Sequence, residues 1–167
     1  MEQAQDFLDR TYAARQKIGR GIHVADTADL ERVVRLAAYL ERDLAEICVI
    51  HGLKTGQFQV LAELRGRDPM PMTASELARA IILTSGGMTP VLDQLEERGL
   101  INRQIDPEDR RARRITITEK GRSAVGRAME QRLARHRALN AVLEAGERET
   151  LSNILRKLLV AMEGEVR

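Results

Sequence analysis

The chain has 167 residues, enough for one domain or one compact core with helical extensions. Hydrophobic residues make up 43% and charged residues 31%, which argues against general disorder, and aromatics at 2% with no Trp argue against a binder that stacks single-stranded bases. Net charge is only +2, yet residues 110–137 hold ten basic and two acidic residues while residues 1–50 hold seven basic and nine acidic. 

The first residues, Met1 to Asp6, carry early acids and no apolar run, so no secretory signal is expected. No stretch approaches the roughly eighteen apolar residues of a membrane span. The expected location is cytoplasmic, with no membrane partner. Residues 4–18 predict a short helix ended by Gly19-Arg20-Gly21. Asp26 stands where an N-cap belongs. From Leu30 a stripe of Val33, Val34, Ala37, Leu40, Leu44, Ile47 and Cys48 predicts a long helix. Its length suggests packing beyond its own domain. Thr55 is placed to cap a short helix through Phe58, Val60, Leu61 and Leu64, stopped at Gly66. Asp68-Pro69 breaks the chain.

Thr73-Ala74-Ser75-Glu76 has the form of a capping box, opening a helix that carries Leu77, Ala80 and Ile81. Ser85 is a second N-cap candidate, followed by Met88, Val91, Leu92 and Leu95 at helical spacing and by Gly99 as a helix stop. Two short helices joined by a turn of about four residues have helix-turn-helix spacing. Leu100, Ile101 and Ile105 predict a strand, Asp106-Pro107-Glu108-Asp109 a turn, and Arg114–Thr118 the returning strand. Arg110, Arg111 and Arg113 then sit near a hairpin tip. A helix over 119–144 and a last one over 147–163, with Leu151, Ile154, Leu155, Leu158, Leu159 and Met162 apolar, complete the chain.

In this order and spacing the pieces resemble MarR-type regulators. Leu53-Lys54-Thr55-Gly56-Gln57-Phe58-Gln59-Val60-Leu61 is similar to the helix that opens their DNA-binding lobe. Residues 73–99, with Ser85-Gly86-Gly87-Met88-Thr89 and Leu92-Asp93-Gln94-Leu95-Glu96, resemble their helix-turn-helix. Asp106 to Arg111 and Ile117-Thr118-Glu119-Lys120-Gly121 resemble their wing and its exit. The likeness spans roughly residues 30–160. It implies a mainly α fold with a small β-hairpin wing, a winged helix-turn-helix plus a helical dimerisation region. It implies N-terminal dimerisation helices over 1–52, a DNA-binding lobe over 53–118 and C-terminal dimerisation helices over 119–167. A homodimer would set two recognition helices about 34–36 Å apart on a pseudo-palindromic double-stranded DNA operator.

The expected DNA face of the recognition helix holds Ser85, Gly87, Thr89, Pro90 and Gln94. Gly86 and Gly87 allow close approach to phosphate; Thr89 suits a thymine methyl or a phosphate, and Gln94 suits adenine. Ser85 as a mere cap and Gly86-Gly87 as a mere turn are the plainer alternatives. Asp93 either accepts from cytosine, orients an Arg or serves structure. Many relatives follow the Thr with Asn-Arg, whereas Pro90-Val91 stand here, a Thr-Pro pair similar to hydroperoxide-sensing members. Pro90 lacks the amide for Gly86, so the helix is expected to loosen or begin later. In the wing, Arg110, Arg111 and Arg113 suit a minor groove, and the resemblance also allows an Asp109–Arg111 ion pair. Arg122, Arg127, Arg132, Arg135 and Arg137 read as a solvated helix face.

Cys48 and His51 share a helix face as a notional nucleophile pair, but both lie on the apolar stripe, so packing is expected instead. A single Cys excludes a disulfide framework or zinc ribbon. Hydroperoxide-sensing relatives carry a Cys early in the first helix, and urate-responsive ones a first-helix Trp; this chain has neither there. Neither an enzyme, a cofactor nor a metal site is expected. The function expected is a dimeric DNA-binding regulator, a repressor released by a small-molecule effector whose identity is open. The alternative is a winged-helix protein–protein adaptor.

Overall fold

The computed structural model describes residues 5–17, 27–81, 85–107 and 112–165. The elements are α1 (Phe7–Lys17), α2 (Ala28–Ile50), α3 (Thr55–Arg67), α4 (Ala74–Ala80), α5 (Ser85–Glu97), β1 (Ile101–Ile105), β2 (Arg113–Ile117), α6 (Glu119–Asn140) and α7 (Ala145–Glu165). The chain is therefore mainly helical with one antiparallel hairpin. It divides into two compact units, Met1–Glu46 and Ile47–Arg167. The expected Asp26 cap lies outside the described residues.

In the first unit Asp6 caps α1. Its Oδ1 accepts the Asp9 N–H at 2.9 Å, and Asp9 Oδ2 accepts the Asp6 N–H at 3.0 Å. Arg32 of α2 then ties down both carboxylates, at 2.7 Å to Asp6 and 2.6 Å to Asp9. The Asp9 amide first, and the Arg32 guanidinium next, hold the Asp6 carboxyl below its ordinary range. The stripe read along α2 is buried only in part. Leu44, Ile47 and Cys48 are buried, while Leu30, Val33 and Val34 are exposed.

The second unit gathers its core from short elements. Ile47 and Cys48, Leu53, Phe58, Val60, Leu61 and Leu64 meet Met72, Leu77, Met88, Leu92, Leu95, Ile101, Ile115, Ile117 and Val125. The N-cap of α3 is Lys54 rather than Thr55. Lys54 has extended backbone (φ −91, ψ 155), and its N–H is accepted by Gln57 Oε1 at 3.1 Å. The helix passes Gly66 and ends at Arg67, whose Nε pairs with Glu63 Oε1 at 3.1 Å.

The capping box of α4 forms as read. Thr73 Oγ1 accepts the Glu76 N–H at 3.3 Å, and Glu76 Oε2 accepts the Thr73 N–H at 2.7 Å. This start sets the inner face as Leu77 and Ala78, while Ala80 is exposed. The hairpin register pairs Ile101 with Ile117, Arg103 with Ile115 and Ile105 with Arg113. Met72 adds a bridge to Ile115, with N–H to O distances of 3.0 and 2.8 Å. Thr118, read as strand, leaves the ladder to cap α6; its Oγ1 accepts the Gly121 N–H at 3.0 Å. Any Cβ on Gly121 would collide with the Leu100 carbonyl. α6 stops at Asn140, short of 144, because the amides of Val142 and Leu143 turn to carbonyls three residues back.

Candidate nucleic-acid interface

α5 is an amphipathic helix with a clear inner edge. Met88, Leu92 and Leu95 are buried, and Val91 is half-buried against Gly56, where a Cβ would lie 3.4 Å from Val91 Cγ2. Gly87, Thr89, Pro90 and Asp93 are exposed. Ser85, expected as the cap, is itself helical, and residues 82–84 before it lie outside the described residues. The Ser85 side chain also lies outside them. Pro90 does not delay the helix: α5 runs unbroken from Ser85 to Glu97 with Pro90 inside. A proline there has no N–H for the Gly86 carbonyl, so packing of the inner edge must carry the first turns.

The outer edge is set from below by a polar hub that sequence periodicity does not reveal. Gln57 of α3 is 3% exposed. Its Oε1 accepts the Lys54 N–H at 3.1 Å and Arg98 Nη1 at 2.9 Å. Its Nε2 donates to Gln94 Oε1 at 3.2 Å, and Lys54 Nζ donates to the same oxygen at 3.1 Å. Arg98 Nη2 continues to the Gly52 carbonyl at 2.9 Å, and Lys120 Nζ to the Arg98 carbonyl at 2.8 Å. A buried amide is tolerated when its polar atoms find partners, and here Gln57 Oε1 accepts two hydrogen bonds and Nε2 donates one. The hub pins the C-terminal end of α5 to α3 and to the α2–α3 turn.

Of the readings open for Asp93, the geometry favours orienting an arginine. Arg103 Nη2 of β1 lies 2.7 Å from Asp93 Oδ1, and Arg103 Nε lies 3.2 Å from Glu96 Oε2. This pair locks the exposed edge of α5 to the hairpin. At the base of the wing Arg114 Nε pairs with Asp106 Oδ2 at 2.8 Å, and the Asp106 N–H bonds to the Ala112 carbonyl at 3.1 Å. This pair is not apparent from the sequence, where Asp109 and Arg111 are the expected wing pair. Arg113 is exposed at the end of β2. Arg110, Arg111 and Asp109 lie outside the described residues.

Not every arginine of α6 is a solvated one. Arg122 clamps Asp68 at 2.6 and 3.0 Å and Glu119 at 3.2 Å. The Arg122 hydrogen bonds hold the Asp68 carboxyl below its ordinary range. Arg132 is half-buried, 5.6 Å from the centroid of the Phe58 ring. It borders a cavity of about 350 Å³ lined by Phe58, Gln59, Ala62, Ile81 and Glu63. Arg127 and Arg137 are exposed, as expected. Cys48 is buried, and burial pushes its thiol pKa up, the opposite of an activated thiolate. His51 Nε2 meets Gln131 Oε1 at 2.7 Å.

Comparison with known proteins follows the same lines. The MarR family model matches residues 53–112. The helix-turn-helix transcriptional regulator MhqR of Bacillus subtilis is 32% identical over 108 residues, covering 65% of this chain and 73% of that one. The chain belongs to the MarR family. Wild-type apo MarR from E. coli aligns with a TM-score of 0.63 and 27% identity over 78% of this chain and 96% of that one. The transcriptional repressor CouR, bound to a 23-mer DNA duplex, aligns with a TM-score of 0.70 and 25% identity over 83% of this chain and 99% of that one. In MarR-family terms α4 and α5 are the helix-turn-helix and β1–β2 the wing. The protein is a winged helix-turn-helix transcriptional regulator, not an enzyme. No helix among the described residues is long and apolar enough to cross a membrane.

Proposed function

We propose that the protein is a homodimeric, sequence-specific regulator that binds a pseudo-palindromic double-stranded operator in the cytoplasm, as a repressor released by a small-molecule effector. The observation that carries this reading is α5: a buried edge of Met88, Leu92 and Leu95, and opposite it an exposed edge beside a basic hairpin. Residues 53–118 form the DNA-binding lobe, and residues 1–52 and 119–167 supply the dimerisation helices. Ser85, Gly87, Thr89, Pro90 and Gln94 go to the major groove, where the free amides at the helix start favour phosphate. Arg110, Arg111 and Arg113 go to the adjoining minor groove. The DNA complex of CouR supports the docking mode.

Exposed Leu151, Ile154, Leu158, Leu159 and Met162 on α7 support the dimer, since a partner helix would remove them from water. The cavity beside Phe58 and Arg132 supports an effector site, because it adjoins Ile81 at the end of α4. A ligand that binds one lobe arrangement better shifts the population toward it, and repression is lost when that arrangement misplaces the two recognition helices. Selection from a random duplex pool, with salt varied, tests the reading. The expected result is a pseudo-palindrome whose affinity falls steeply with salt. Arg110→Ala with Arg113→Ala should shallow that slope by about four if both arginines of each protomer neutralise phosphates. Absence of binding at low salt, with or without candidate effectors, would favour the adaptor reading instead.

A further inference from the structure

We propose that Gln57, buried in α3, decides which base edge Gln94 reads, and that the protein presents only an N–H donor at that position instead of the donor–acceptor pair that selects adenine. The proposal rests on the reading of α5 as the recognition helix. Amide orientation here is fixed by partners that can only donate. Lys54 Nζ is one, so the Gln94 atom 3.1 Å from it is the oxygen. The Lys54 N–H and Arg98 Nη1 are two more, so the Gln57 atom at 3.1 and 2.9 Å from them is also the oxygen. Gln57 Nε2 is thereby left to donate to Gln94 Oε1 at 3.2 Å. Both lone pairs of Gln94 Oε1 are taken. Gln94 Nε2 makes no hydrogen bond among the described residues.

Adenine recognition by glutamine needs both amide atoms, Oε1 for the N6 amino group and Nε2 for N7. With Oε1 held inside the hub, residue 94 offers a donor alone. A donor suits guanine, which offers O6 and N7, or thymine O4; adenine offers it N7 alone, beside an N6 amino group left without an acceptor. Gln57→Glu exchanges one buried N–H donor for an acceptor without altering the exposed surface. Two acceptors would then face each other, and the Gln94 amide relieves this by turning half around. Its Nε2 then donates to Glu, its Oε1 faces outward, and the exposed Lys54 ammonium, which can only donate, turns from Gln94 to the new carboxylate. An outward acceptor reads adenine N6 or cytosine N4. Arg98 keeps its acceptor throughout, now as a charged pair.

The experiment is sequence selection from a random duplex pool with the wild type, Gln57→Glu and Gln94→Ala, each checked by circular dichroism and thermal melting. The wild type should prefer guanine or thymine at one base pair of each half-site. Gln57→Glu should move that base pair alone toward adenine or cytosine, by about five- to tenfold. Gln94→Ala should level it. If Gln57→Glu does not fold, Lys54→Met, at an exposed position, removes one donor from Gln94 Oε1 and should raise adenine there. A wild-type motif left unmoved by the folded variants overturns this inference alone. Recovery of no motif by the wild type overturns it together with the regulator reading.

Discussion

Glu76 closes the cap of α4 with one carboxylate oxygen, which accepts the Thr73 N–H at 2.7 Å and its hydroxyl at 2.9 Å. Those two bonds, the backbone one first, hold its carboxyl below the ordinary value. A depressed folded value means that the unfolded chain takes up the proton first as pH falls. The contribution is therefore complete above about pH 5 and is lost as pH drops through the folded value. Asp68, depressed by its Arg122 hydrogen bonds, acts in the same direction. Urea midpoints measured from pH 7 to pH 3 should fall on the acid side, and Glu76→Gln should flatten that fall; an equally steep fall in the variant would remove Glu76 as a cause. Thr73→Ala, which deletes the reciprocal acceptor, should lower stability by about 1 kcal/mol at neutral pH. Gly121 has a different reason for its identity. A Cβ would strike the Leu100 carbonyl and crowd Ile117 Cγ1, so Gly121→Ala should cost about 2 kcal/mol or more, read as a lower thermal midpoint. An unchanged midpoint would mean that α6 can slide away from the hairpin.

At the scale of elements, α5 keeps its length despite Pro90. Pro90→Ala restores an N–H for the Gly86 carbonyl, so stability should rise by about 1–3 kcal/mol, or several degrees in thermal midpoint. A lower midpoint would show that the proline ring itself packs in the folded state. The helices, the hairpin and the Thr73–Glu76 box were legible because periodicity and capping act locally. Boundaries were less so, since single side-chain-to-backbone bonds without periodicity set them: Gln57 shifts the α3 cap to Lys54, and the Thr118–Gly121 bond ends β2. The exposed edge of α5 was legible from the buried one. The hub beneath it was not, because a lone Gln57 among apolar neighbours looks like any surface glutamine until Arg98 and Gln94, forty-one and thirty-seven positions on, arrive beside it.

For the whole molecule the unsatisfied feature is apolar surface. On α7, Ile154 is 50% exposed, Leu158 42% and Leu159 58%, and on α2 Leu30 and Val34 are exposed as well. Fully burying one such side chain is worth about 1.5–3 kcal/mol, so several of them on one face give a strong drive to associate. Association in a closed pair follows if the same patch serves both copies. Leu158→Glu with Leu159→Glu leaves the core of the second unit untouched, since neither residue is part of it. The double variant should therefore sediment as a folded monomer at concentrations where the wild type is a dimer. The consequence for DNA follows from tethering. A dimer binds its second half-site at the effective concentration set by the first, and losing the tether should weaken operator binding by about 10²–10⁴-fold. Half the phosphate contacts should also halve the salt slope, while binding to an isolated half-site stays as it was. A variant that remains dimeric would move the interface away from α7. A monomer that still binds the full operator with wild-type affinity and slope would show that dimerisation is not what reads the palindrome.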